Sequence, residues 1–413
     1  MRGLKTAEKL LVGFCRYHLI KWWYLGDKMD KFKFIDLFSG IGGFHQAMKS
    51  LGGECVFASE IDPSCIETYR KNYGIDANTN VREVKAEDIP KHDVLCGGFP
   101  CQAFSKAGNR LGMSDTRGTL FFEIERILKY HKTKYIILEN VRNLVSHDNG
   151  NTWKVIQKTL TNLGYRLTLK PLLLSPHNFG VPQLRERVVI LGVYDPANVN
   201  EELRIEFGDL RSKEQNSIYS IIEDCPVDAK YSLSDKELKL LQIWDDFYKG
   251  IEDKVIGFPV WVDSFKNELS SDLPAWKVAI IKKNKDLYMR NKAFIDEWLS
   301  NNSNLSEFTP TQRKLEWQAG ASITSIWEGV IQFRPSGIRV KSPTTFPSLV
   351  AMVQVPIIGK LKRRLTVREA ARLQSFPDSF IPDSNDYQAY KQFGNAVNVE
   401  VMKQAAEKLF TYK

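Results

Sequence analysis

No stretch of the 413-residue chain approaches the roughly 20 apolar residues needed to cross a bilayer. The opening segment, Met1 to Asp30, is basic and aromatic, and its apolar stretch Leu10 to Cys15 is too short and interrupted for a secretory signal. These absences set aside a membrane or secreted protein, and a cytoplasmic one is expected. Cysteine is scarce: Cys15, Cys55, Cys65, Cys96, Cys101 and Cys225, with no C-x-x-C pair. The six histidines are scattered, without an H-E-x-x-H. Neither a disulfide framework nor a zinc site is indicated, and no metal is expected. Also missing are an internal repeat and a long low-complexity tract.

What is present is an ordinary globular composition, 43% hydrophobic and 26% charged, with a net charge of +9. The positive balance suits a polyanionic partner, because clustered Lys and Arg release counterions from phosphates. Taken alone it suits equally a basic protein that binds no nucleic acid.

From Phe32 the chain alternates short apolar runs with amphipathic stretches. Strands are expected at Phe32 to Leu37, Glu54 to Ser59, Asp93 to Phe99, Tyr135 to Asn140, Arg166 to Leu174 and Arg187 to Tyr194. Helices are expected from Phe44, at Pro63 to Asn72, at Thr119 to Lys129 and at Thr152 to Leu163. This order predicts an α/β fold, a doubly wound, mostly parallel sheet with helices on both faces. Ligands should gather at the carboxyl ends of its strands. After Asn198 the alternation weakens, and tryptophans and basic clusters appear (Lys282, Lys283, Lys285, Arg290 and Lys292; Arg334, Arg339 and Lys341). We read a second, smaller domain there, with helices at Asp235 to Tyr248 and Asp286 to Ser300. Helical periodicity returns at Thr366 to Gln374 and Val397 to Leu409. The expected division is an N-terminal extension (1–30), a catalytic and cofactor-binding core (31–199), a target region (200–359) and a C-terminal segment returning to the core (360–413).

Four strand ends carry chemistry. Asp36-Leu-Phe-Ser-Gly-Ile-Gly-Gly closes the first strand with a turn that lets backbone approach a ligand, and Glu60 ends the second strand, where an acid suits ribose hydroxyls. The spacing is not G-x-G-x-x-G, because His45 stands where the last glycine would be. A tight turn beside a surface glutamate fits as well. Asp88-Ile89 adds a carboxylate able to accept from an adenine amino group. The third end is Gly97-Gly98-Phe99-Pro100-Cys101-Gln102, a Gly- and Pro-rich loop of the kind that displays a reactive group. It continues through Ser105, Lys106, Arg110 and Arg117 as a basic, glycine-punctuated segment suited to a lid. Glu139 ends the next strand, and Arg185 and Arg187 flank the start of another. The plain alternatives are a buried inert thiol, a surface carboxylate and an exposed charged turn.

These segments together resemble the cytosine-5 DNA methyltransferases, above all the single-chain bacterial enzymes of restriction-modification systems. The matches run in order: DLFSGIGGF from Asp36, ASEID around Ser59, EDI from Glu87, GGFPCQAFSKAG from Gly97, RGTLFFEI from Arg117, LENV from Leu138, GVPQLRERVVILGV from Gly180, LTVREAARLQSFPDSF from Leu365 and QFGNAVNVEV from Gln392. They cover Phe32 to Tyr194 and Lys362 to Lys413, a little over half the chain.

The resemblance implies a class I methyltransferase-like fold, S-adenosyl-L-methionine as cofactor and double-stranded DNA as partner. Phe38, Ser39, Gly40, Gly42, Glu60, Ile61, Asp88, Ile89, Pro100, Leu120, Asn395 and Val397 would line the cofactor site. Cys101 would be the nucleophile, Glu139 would act at the amino edge and ring nitrogen 3 of cytosine, Arg187 would bind the oxygen at position 2, and Arg185 would support the site. Ser105, Lys106 and Arg117 would meet DNA. The base that removes the carbon 5 proton is left open, as is the target sequence, which the region 200–359 would read in the major groove. A monomer is expected, cytoplasmic and nucleoid-associated, with a cognate restriction endonuclease in the same system. Rival readings are a transfer-RNA cytosine-5 methyltransferase, against which the long second region argues, and a catalytically silent DNA-binding regulator of the same fold. An adenine amino-group enzyme lacks support, since no Asp/Asn-Pro-Pro-Tyr/Phe loop occurs. Residues before Asp30 fall outside the resemblance, and Met29 would serve as a start. The extension is expected to be a small appended helix or an artefact of start-site choice, dispensable for methyl transfer.

Overall fold

Lys33–Leu37 is apolar apart from its first residue and Asp36, the composition of a strand covered on both faces, and it forms β1 near the centre of a seven-stranded sheet. The computed structural model describes residues 31–99, 120–208, 216–224, 227–254, 256–266, 273–349 and 354–412. The sequence expectations for residues 1–30 and for Pro100, Cys101, Ser105, Lys106 and Arg117 lie outside the described residues.

After β1 come α1 (Gly43–Ser50), β2 (Glu54–Ser59), α2 (Pro63–Tyr73), β3 (Val94–Gly98), α3 (Leu120–His131), β4 (Tyr135–Val141), α4 (Asn151–Asn162), β5 (Tyr165–Leu167), β6 (Leu172–Leu174), β7 (Gln183–Leu184) and β8 (Arg187–Tyr194). Local chemistry sets several boundaries. Asp62 caps α2 by accepting from Ser64 N, Pro63 occupies its first turn, and Gly74 ends it in the left-handed region. The sheet order is β2-β1-β3-β4-β8-β5, with β6 also on β8. The first four strands are mutually parallel, and β8 runs antiparallel to β4, β5 and β6. The mostly parallel α/β sheet expected from sequence is therefore present, with one reversed strand. The single strand expected over Arg166 to Leu174 is two short ones.

The second region contributes α5 (Asp235–Gly250), β9 (Val260–Trp261), α6 (Ala275–Arg290), α7 (Lys292–Asn301), β10 (Lys314–Gln318), β11 (Val330–Arg334), β12 (Gly337–Lys341), β13 (Phe346–Pro347), β14 (Ile357–Ile358) and β15 (Arg363–Arg364). A Ser234–Glu237 capping box starts α5. The helix expected at Asp286 to Ser300 straddles two helices. They part at Asn291, whose side chain accepts from Glu252 N (3.0 Å) and donates to Leu287 O (3.0 Å). A six-stranded sheet, β15-β14-β11-β12-β10-β9, makes up the rest. The chain closes with α8 (Val367–Leu373), α9 (Asp386–Asn395) and α10 (Val399–Phe410).

Three apolar cores organise these layers. One lies between the first sheet and α1, α8, α9 and α10, and includes Phe34, Phe44, Phe393 and Leu409. A second fills the opposite face under α3 and α4, with Ile35, Leu37, Ile124 and Ile156. The third belongs to the second region and is built on Trp244, Phe247, Trp298, Leu315 and Val340. Leu203, Ile218 and Ile221 pack with the first core, and so do Phe346, Leu349 and Ile358. Among the described residues, no helix is long and apolar enough to cross a membrane.

Candidate active site

Parallel pairing sets the chemistry at one edge. Leu37 is level with Ser59 and Gly97, Gly97 with Leu138, and Gly98 with Glu139. The segments beginning at Phe38, Glu60 and Phe99 therefore leave the sheet side by side, next to the last residues of β4. Because β8 is antiparallel, its first residue, Arg187, arrives there too, opposite Val141.

The turn after β1 is held in an uncommon shape. Phe38 has φ 56°, a left-handed conformation a bulky residue adopts only when its surroundings enforce it. The enforcing bonds are Ser39 N to Ser59 O (3.0 Å) and Gly42 N to Ser39 O (2.8 Å). Gly42 caps α1 at φ 83°, and a Cβ there would lie 2.4 Å from the Tyr73 ring. Tyr73 also donates its hydroxyl between Ile41 O and Gly42 O, at 3.1 Å each, and stacks on His45 at 3.8 Å. Gly43 is pressed against Val397, so the last segment of the chain reaches this turn.

Glu60 fixes the other wall. Its Oε2 accepts from Gly40 N (2.8 Å), and its Oε1 accepts from Ile61 N (2.7 Å) and Asp62 N (2.9 Å). Beside it Ile61 is 72% exposed, an apolar side chain left in water, and the Ser39 hydroxyl is buried without a hydrogen-bond partner among the described residues. An open apolar platform, an orphaned hydroxyl and a strained glycine turn suit a ligand with an apolar ring and polar substituents, and S-adenosylmethionine fits that description.

At the neighbouring strand end, Arg187 Nε meets Glu139 Oε1 at 2.9 Å. The Glu139 side chain is 13% exposed, and burial raises its carboxyl above the ordinary range against the pull of Arg187 and Arg185. Asn140 is buried and donates to Phe99 O (2.8 Å), which ties the end of β3 to β4. Arg185, 3% exposed, donates to Leu349 O (2.9 Å), Gly394 O (2.8 Å) and Ala396 O (3.0 Å). Burial lowers its guanidinium to about 9. Both of its terminal nitrogens donate to backbone carbonyls, its Nε is buried without a partner among the described residues, and the turn it holds is the one carrying Asn395 and Val397. Arg185 thus sits as a brace beside the Glu139–Arg187 pair.

The structure brings together Phe38, Ser39, Gly40, Gly42, Glu60, Ile61, Glu139, Arg187 and Val397. Leu120 begins α3, half-buried against the core beneath β3 and β4. Asn395 is exposed at the end of α9. Asp88 and Ile89 are placed elsewhere. His131, at the far end of α3, meets Ala86 O at 2.8 Å, and Thr133 meets His92 at 2.8 Å, so this segment lies at the amino edge of the sheet. Asn80 and Val81, which sequence reasoning missed, are better placed. The preceding residues zip onto Glu60 through Glu60 N to Ala77 O (2.9 Å) and Thr79 N to Glu60 O (3.3 Å), and Ser59 Oγ donates to Thr79 O (2.9 Å). Tyr73 and Asn140 were missed too. Position carried no signal for them, because both act through contacts made only in the folded chain.

Comparison with known proteins agrees with this geometry. A family model described as C-5 cytosine-specific DNA methylase matches residues 32–411. The type II methyltransferase M.AluI of Cellulosimicrobium cellulans is 33% identical, the match covering 90% of this chain and 91% of that protein. The type II methyltransferase M1.ScrFI of Lactococcus lactis subsp. cremoris is 35% identical over 92% of this chain and 79% of its own. Among solved structures, a mutant of Spodoptera frugiperda DNMT2 superposes with a TM-score of 0.52 at 20% identity, covering 92% of this chain and 99% of that one, a likeness of fold.

Proposed function

Because the chain belongs to the C-5 cytosine-specific DNA methylase family, we propose that it methylates carbon 5 of one cytosine in a specific duplex DNA sequence, using Cys101 as nucleophile. The observation that carries this reading is the Glu139–Arg187 pair, set level with Gly98 at the end of the strand that leads into Cys101. Cys101 follows Phe99 by two residues, a reach of at most about 7 Å for a trans chain.

S-adenosylmethionine supplies an electrophilic methyl group. Glu60 and the Phe38–Gly42 turn hold its ribose and methionine ends, Ile61 packs on its adenine, and Asn80 and Val81 flank that ring. Pro100, Leu120, Asn395 and Val397 close the pocket.

Carbon 5 of cytosine is a weak nucleophile. Addition of the Cys101 thiolate to carbon 6 places electron density on carbon 5, which would then take the methyl group as its bond to the sulfonium sulfur breaks, with S-adenosylhomocysteine leaving. Negative charge builds on the ring toward nitrogen 3 as the thiolate adds. Glu139, whose carboxyl burial raises above the ordinary range, donates a proton there and offsets that charge. Arg187, oriented by its bond to Glu139, binds the oxygen at position 2. Loss of the carbon 5 proton then expels Cys101. The target base must leave the stack first, at a cost of a few kcal/mol. Ser105, Lys106 and Arg117 hold phosphates nearby, and the region 200–359 reads the sequence. We further propose that the protein works as a cytoplasmic monomer and protects host DNA from a cognate endonuclease.

A duplex carrying 5-fluorocytosine tests the chemistry, since fluorine cannot leave as a proton. With S-adenosylmethionine present, a covalent protein–DNA adduct should accumulate, and Cys101→Ser should abolish it. An adduct that persists in the variant would show that another residue is the nucleophile.

A further inference from the structure

The two faces of the second sheet differ in a way the sheet's stability does not explain. Along β10, β11 and β12, Leu315, Trp317, Ile331, Phe333, Ile338 and Val340 point into the second region's own core. The alternate residues point the other way. At one end of that second face, Val330 and the neighbouring Ile358 pack into the core beneath the first sheet, so this face looks toward the catalytic layer. Beyond Val330 it turns polar. Glu316 lies level with Arg339 across the β10–β12 pair, Gln318 with Lys341, and Gln332 with Arg339 across β11–β12.

Glu316 is the hub of this patch. Its Oε2 accepts from Arg334 Nη1 (3.2 Å) and Arg339 Nε (3.1 Å), and Gln318 donates to its Oε1. The side chains of Glu316, Arg334 and Arg339 keep 29%, 30% and 20% of their surface exposed. Gln332 is 6% exposed, and its Oε1 is buried with no hydrogen-bond partner among the described residues. A buried amide oxygen without a partner costs free energy until something donates to it. Three cations, Arg334, Arg339 and Lys341, outweigh the one anion on this face, which suits a polyanion.

We propose that Arg334, Arg339 and Glu316 are sequence-determining residues, reading base edges of the duplex whose cytosine is methylated; this rests on the function proposed above. The donor and acceptor inventory fits. An arginine fork matches the paired acceptors of guanine, and a carboxylate accepts from the cytosine amino group. Glu316 holds both guanidinium groups in fixed orientations before DNA arrives, so fewer rotamers are lost on binding.

The test uses the full-length protein and a library of duplexes with randomised positions around a cytosine. Bisulfite sequencing reads which members are methylated. Wild type should select one sequence. Arg339→Gln should lose preference at one base pair of that sequence by roughly tenfold or more, with S-adenosylhomocysteine affinity unchanged. A preference unaltered at every position would overturn the proposal. So would uniformly weaker methylation of all sequences with a salt slope reduced by about one, the signature of a phosphate contact. Should Arg339→Gln lose its cofactor affinity, Arg339→Lys keeps the charge, removes the fork and is read by the same two outcomes. A wild-type protein that methylates no cytosine in the library would sink the proposed function, a result distinct from either.

Discussion

Glu60, at the rim of the first sheet, and Glu316, on a face of the second, are both carboxylates, and they are held in opposite ways. Glu60 accepts three backbone N–H groups, from Gly40, Ile61 and Asp62. Glu316 accepts from side chains, those of Arg334, Arg339 and Gln318. A backbone-held carboxylate is fixed by the path of the chain, and that path in turn needs the left-handed φ at Phe38 and Gly42. A side-chain-held one can change partners by single substitutions without moving the strands beneath it. The first arrangement suits a cofactor that is always the same, and the second suits a target that differs from one enzyme to another.

That contrast can be broken at the point where the two ends meet. In the proposed mechanism Glu139 serves the base itself, so Glu139→Gln should lower the methyl-transfer rate by roughly a hundred- to ten-thousandfold. Single-turnover kinetics should show that loss while both S-adenosylhomocysteine affinity and base preference persist. A loss of base preference instead would merge the reading and reacting ends.

A smaller effect sharpens the cofactor side. Tyr73→Phe removes the hydroxyl shared by Ile41 O and Gly42 O but keeps the ring that fills the space beside Gly42. Calorimetry should show S-adenosylhomocysteine binding several-fold more weakly, by about 1 kcal/mol, the net worth of an ordinary hydrogen bond. The sequence preference should stay as it was, the reverse of the outcome expected for Arg339→Gln.

The smallest effect lies beneath the same turn and is read as stability. Asp36 is fully buried on β1, and both its oxygens lack hydrogen-bond partners among the described residues. Burial raises its carboxyl well above 3.8, with the Glu60 charge adding to the shift. The native state therefore keeps a proton that the unfolded chain releases near the ordinary value. The stability this contributes is complete below that value and decays as pH rises through the raised native one. Asp36→Asn abolishes the titration. Thermal unfolding of the variant should lose less stability than wild type between about pH 4 and pH 7. An unchanged pH profile would show that Asp36 is ionised in the native protein.

Legibility in the sequence followed the same divide. The strands ending at Leu37, Ser59, Gly98 and Val141 were readable because strands buried on both faces are continuous apolar runs. Glu60 and Glu139 were readable because they punctuate those runs. The second sheet was not, because its strands span two to five residues and pair across long separations, as β9 does with β10. The break at Asn291 was hidden for a related reason: the bond holding it comes from Glu252. Asp88 drew attention as a carboxylate before a strand, yet sequence could not say at which edge of the sheet that strand begins.

By itself the sequence determined the layered α/β core and the ordered motifs, and it singled out the candidate reacting side chains, since apolar periodicity and glycine placement are local properties. Only the tertiary structure decided that Arg185 braces the turn carrying Asn395 and Val397, that Tyr73 supports the cofactor turn, and that the polar face around Glu316 looks toward the catalytic layer. Each depends on contacts between segments far apart in the chain, and burial and pairing between such segments exist only once the chain has folded.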